Sequence, residues 1–63
     1  GNVGIGTTNP TVKLEVNGIF KLTPRPAQPY GCDATHKGEM YFNSMANDFY
    51  GCDGGGWRKL DQF

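Results

Sequence analysis

The chain has 63 residues, 37% of them hydrophobic, with ten glycines and four prolines; so little apolar material excludes a self-sufficient core and calls for a disulfide, a metal or partner chains. Six basic residues balance six acidic ones, which excludes the long-range field that draws a protein to nucleic acid or to an anionic membrane surface. No apolar run nears the roughly 20 residues of a membrane span, so no membrane insertion is expected.

Along the chain, "GNVGIGTTNPTVKLEVNG" places apolar residues at alternate positions twice: Val3 and Ile5, then Val12, Leu14 and Val16. Period-two alternation predicts half-buried strands, over Asn2 to Thr7 and Thr11 to Val16, and a half-buried strand needs a second layer. Asn9-Pro10 separates the two, because proline has no N–H to continue a ladder. Asn17-Gly18 is a second turn of the kind that suits positive φ. Ile19, Phe20 and Leu22 then predict a third short strand. The chain starts in mid-pattern, with no initiator Met and no signal peptide, and reads as a piece of something longer.

"TPRPAQP" follows, with Pro24, Pro26 and Pro29, and predicts an extended connector over residues 23–29 that lies along a surface. From Tyr30 onward the chain carries seven of its eight aromatic residues, so the compact head is expected over 30–63. "GEMYFN" and "DFYGC" read as two aromatic strands joined by "SMAN", in which Asn43, Ser44 and Asn47 supply turn chemistry. "CDGGGW" forces a second reversal, and "WRKL" returns as a third strand. The expected fold is therefore all-β, with a small antiparallel meander and no helix. One sheet leaves one face uncovered, so the missing layer is assigned to further copies of the chain.

Cys32 and Cys52 are an even count in a short glycine-rich chain, which favours a disulfide and an oxidising compartment. Such a bridge, from before the first head strand to the end of the second, would contribute roughly 3 kcal/mol in the chain-entropy model. The competing readings are two free thiols, or a zinc site from Cys32, His36, Cys52 and Asp53; the latter lacks any CxxC pair and needs the same sulfurs. No metal or cofactor is expected.

The opening segment closely resembles a motif of trimeric bacteriophage tail fibres, found near their C-terminal ends, and of the related mosaic adhesive trimers of predatory bacteria. "GIGT", the Asn-Pro turn and "KLEVNG" occur together and in order over about the first 18 residues. The resemblance implies that three identical chains wrap around one axis, with Val3, Ile5, Val12, Leu14 and Val16 turned toward it and Gly4 and Gly6 allowing close backbone approach. Residues 1–22 would then be a trimeric neck. The second half resembles disulfide-bonded extracellular modules in the order Cys32, Gly38, Tyr41, Phe49, Cys52, Asp53, Gly54, Trp57 and Leu60. That resemblance implies a β fold closed by a disulfide, without naming a ligand. The alternative, a hairpin in a monomeric domain, would be barely stable in water.

Six residues are candidates for ligand contact. Trp57 can stack on the C–H face of a sugar or cap the core beside the disulfide. Tyr30 and Tyr50 are exposed if Phe42 and Phe49 take the inner face of the head sheet, although the alternation leaves Tyr41 as the other choice for that face. Asp53, His36 and Arg58 supply groups that orient hydroxyls or a carboxylate, while Asp53 also suits an Asx turn and His36 a solvated one. One His and no Ser-centred motif leave no nucleophile with its base, so no enzyme is expected. The function expected is that of an extracellular fibre tip, on a bacterial cell, a vesicle or a virion, that binds a cell-surface glycan or other envelope component of prey or host. The alternative is a cap that only ends and registers the fibre.

Overall fold

A computed structural model describes residues 1–61 as an all-β chain with five short strands; residues 62 and 63 of the expected head lie outside the described residues. Strands β1 (Val3–Ile5) and β2 (Leu14–Val16) form one two-stranded sheet, and β3 (Met40–Asn43), β4 (Asp48–Cys52) and β5 (Trp57–Lys59) form a three-stranded antiparallel sheet in that order.

The first sheet is parallel, with Val3 opposite Leu14, Gly4 opposite Glu15 and Ile5 opposite Val16. Parallel neighbours ordinarily need a crossover of a dozen or more residues, yet here residues 6–13 suffice. Side chains secure this short return. The Glu15 carboxylate accepts from the Thr11 backbone N–H at 2.7 Å and from its hydroxyl at 2.9 Å, and the Asn17 amide donates to the Gly6 carbonyl at 3.2 Å. Backbone bonds close both ends of the pair, from Val3 N–H to the Lys13 carbonyl and from Asn17 N–H to the Ile5 carbonyl.

The glycines of "GIG" have a local role beyond any approach of neighbouring chains. A Cβ on Gly4 would stand 2.4 Å from the Thr7 carbonyl oxygen, and Gly6 adopts φ +75°, a left-handed conformation that costs other residues roughly 1–2 kcal/mol.

The expected third neck strand over Ile19 to Leu22 does not form. Its residues find no neighbouring strand to bond, and Ile19 is 98% exposed. The proline segment that follows is tied to the head: Arg25 N–H donates to the Phe42 carbonyl and Ser44 N–H to the Arg25 carbonyl, a single bridge on the outer edge of β3.

In the head, the register sets Tyr41 opposite Tyr50, Phe42 opposite Phe49 and Cys52 opposite Trp57. Asn43 shapes the β3–β4 loop, its side-chain oxygen accepting from the backbone N–H groups of Met45 and Ala46 at 2.9 Å each, and Asn47 completes the reversal at φ +57°. Cys32 and Cys52 are joined in a disulfide with a Cα separation of 5.5 Å. The free-thiol and zinc readings fall with that bond, because both sulfurs are already used.

The inner face of the sheet is the tyrosine face. Tyr41 is 8% exposed and Cys52 5%, while Phe49 on the opposite face is 43% exposed, so of the two faces that the alternation leaves open the one with Tyr41 is inside. The reason lies in the register: Tyr41, Tyr50, Cys52 and Trp57 share one side of the pleat, and that side carries the disulfide. Phe42 and Phe49 pack on each other edge to face at 4.9 Å on the other side.

Candidate recognition surface of the head

Four of the six candidate residues lie in one row of rings. Tyr50 stacks on Tyr41 at 5.7 Å, Tyr41 meets Trp57 edge to face at 4.9 Å, Trp57 lies 6.4 Å from Tyr30, and Tyr30 lies 4.2 Å from the His36 imidazole. Burial is greatest at Tyr41 and falls to either side, to half-buried Tyr50 on one and through half-buried Trp57 to exposed Tyr30 on the other, with His36 half-buried beyond it. Tyr50 is therefore a half-buried part of the tyrosine face and not the exposed ring expected beside an inner Phe42 and Phe49.

Polar bonds fix the outer end of this row. The Trp57 indole N–H donates to the Tyr30 carbonyl at 2.9 Å, which docks the end of the proline segment on β5. The Tyr30 hydroxyl donates to one oxygen of Glu39, and the other Glu39 oxygen lies 3.0 Å from His36 Nδ1. Glu39 was not singled out by sequence reasoning. The signal that could have found it is its place three residues after the only histidine, in a turn that brings the two ends together.

The shared bonds set the ionisation of the cluster. Hydrogen bonds from Tyr30 and then His36 hold the Glu39 carboxyl below its ordinary value, and the bond to Glu39 raises the His36 imidazole. The same Glu39 contact raises the Tyr30 phenol, whose proton the carboxylate retains. Asp33 is lowered by the Thr35 hydroxyl that it accepts from at 2.7 Å.

Asp53 and Arg58 stand apart from the row. Arg58 follows Trp57 and so projects from the other side of β5. One Asp53 oxygen accepts from the N–H groups of Gly55 and Gly56 at 2.8 and 2.9 Å, the Asx turn that the glycine run suits, and the other accepts from Arg58 Nε. The Gly55 bond and the Arg58 side chain lower its carboxyl. Beside this pair is a groove of about 190 Å³ lined by Gly51, Cys52, Asp53, Arg58, Lys59 and Leu60.

Among the described residues no three His, Cys, Asp or Glu side chains gather in a way that could hold a metal ion, and no helix is long and apolar enough to cross a membrane. The neck holds a larger and mostly apolar groove, about 470 Å³, lined by Ile5, Leu14, Val16, Gly18 and Phe20. None of the six candidates contributes to it. No protein-family model, curated protein or solved structure matches this chain.

Proposed function

We propose that this chain forms the end of an extracellular homotrimeric fibre, a β neck carrying three heads that bind glycans on the surface of prey or host cells. Val3, Ile5, Val12 and Leu14 are each more than half exposed in the single chain, and with Val16 they are the side chains that the two other copies of a trimer would cover. The bond between Cys32 and Cys52 is compatible with an oxidising, extracellular location on a bacterial cell, vesicle or virion.

The observation that carries the adhesive part is the row of rings from Tyr50 to His36, which opens to solvent at Tyr30. Aromatic faces suit the apolar C–H faces of sugars, and the exposed end supplies a hydroxyl, an imidazole and a carboxylate to orient hydroxyl groups. A single shallow contact of this type is weak. Three on one rigid stalk make the second and third contacts intramolecular, so avidity rises by roughly 100-fold or more on a repetitive surface.

A glycan array read with the intact trimer tests this. The reading expects binding that Tyr30→Ala removes while assembly and the near-UV spectrum of Trp57 persist; silence across arrays and across whole prey or host envelopes counts against it. One observation favours the structural alternative, a cap that registers the chains: Trp57 N–H, the Tyr30 hydroxyl and both Asp53 oxygens are already bonded within the head. A cap predicts that same silence together with loss of assembly order when the head is unfolded.

A further inference from the structure

The groove of the neck and the side chain next to it point in different directions. Gly18 and Phe20 both line the groove, whereas Ile19 between them is 98% exposed and so projects away from its own groove. Gly18 sets this course: it adopts φ +142°, and open space surrounds the position a Cβ would take. The groove carries no charged lining residue and favours an apolar occupant.

The chain also leaves more surface open than its mass requires. The chain exposes 4950 Å², against about 4,000 Å² for a compact monomer of 6.9 kDa. The excess is comparable to the roughly 800 Å² that one partner contributes to a standard interface, to be shared here between the two faces of one chain.

We propose that Ile19 of one protomer seats in the groove of the next, among Ile5, Leu14, Val16 and Phe20, so that each groove is completed only by its neighbour. A knob and a hole on different sides of one chain make a head-to-tail contact, which closes into a ring when the copies are related by a threefold axis. The insertion rests on the trimeric reading above and adds to it. Ile19 and Phe20, outside the alternating stretch, become interface residues, and the failed third strand gains a purpose as the arm that delivers them.

The test uses the full chain in three forms: unaltered, Ile19→Asp, and the paired variant Leu14→Cys with Ile19→Cys. Sedimentation at several concentrations should show Ile19→Asp raising the concentration for half-assembly by at least about tenfold, as loss of one buried aliphatic side chain per interface requires. The near-UV spectrum of the head should not change, because Ile19 is almost fully exposed and lies outside the head. Under oxidising conditions the paired variant should yield a covalent species of three chains that reductant dissolves. A trimer that Ile19→Asp leaves unmoved, or in which the paired cysteines do not cross-link, overturns the insertion and leaves the trimeric reading standing. An unaltered chain that sediments as a monomer overturns both.

Discussion

The neck and the head meet the same shortage of apolar material in opposite ways. The head closes on itself: a disulfide, the Tyr41–Trp57 contact and a cross-strand tyrosine pair supply its interior, and the only two buried hydrophobic residues among those described, Tyr41 and Cys52, belong to it. The neck pairs its two strands in parallel through a short bonded return but leaves Val3, Ile5 and Leu14 open. The contrast teaches that hydrogen bonding and hydrophobic burial can be solved separately. On the proposed reading, a segment that has paired its strands without burying their side chains waits for partner chains.

The largest expected effect breaks the neck alone. Leu14→Asp would bring three carboxylates into an apolar centre, raising the concentration for half-assembly by about 100-fold or more, while the disulfide-bonded head keeps its near-UV spectrum; sedimentation and circular dichroism read the two outcomes. Next, reducing the disulfide or replacing both cysteines with Ser should destabilise the head by about 3 kcal/mol, because the bridge closes across a sequence separation of 20. Thermal melts would then show the aromatic signal lost before the assembly.

A smaller change sharpens the boundary within the neck. Gly4→Ala should cost about 1–2 kcal/mol of assembled stability, since its Cβ meets the Thr7 backbone oxygen at 2.4 Å and the return over residues 6–13 must shift; denaturant titration of the trimer measures this.

The smallest effect concerns pH in the head. The bond to Glu39 raises His36, so the contribution of the imidazolium is complete below the ordinary imidazole value and fades as pH rises through the raised one. Glu39 is lowered by Tyr30 and His36, so its contribution is complete above the ordinary carboxylate value and fades as pH falls through the lowered one. Head melting should therefore be highest at about pH 5 to 6. His36→Gln should flatten the alkaline side of that profile and leave neck assembly unchanged.

Much of the head was legible because its signals are local. "GEMYFN", "DFYGC" and "WRKL" each contain one observed strand, the two cysteines pair, and Asp53 makes the turn that a carboxylate before three glycines suits. The inner face was not legible from alternation alone, since Tyr41/Tyr50 and Phe42/Phe49 alternate equally well. What decides it is the register that puts Trp57 opposite Cys52, a pairing between residues separated by a turn whose length the periodicity does not report.

In the neck, alternation identified the apolar side chains but carried no information on strand direction. The parallel pairing depends on Glu15 reaching Thr11 and Asn17 reaching Gly6, side-chain bonds that become visible only once the return has a shape. The predicted strand at Ile19 to Leu22 had apolar residues and no neighbour; composition cannot supply a partner. At the candidate site, the aromatic members were foreseen, whereas Glu39, which holds Tyr30 and His36 together, was hidden in a turn with no pattern of its own.

Molar mass in solution tests the central claim most directly. At micromolar concentration and under oxidising conditions, light scattering should report three times the 6.9 kDa of one chain, with the head spectrum intact. A folded species of one chain mass, keeping its neck structure while Val3, Ile5 and Leu14 remain in water, would contradict the account.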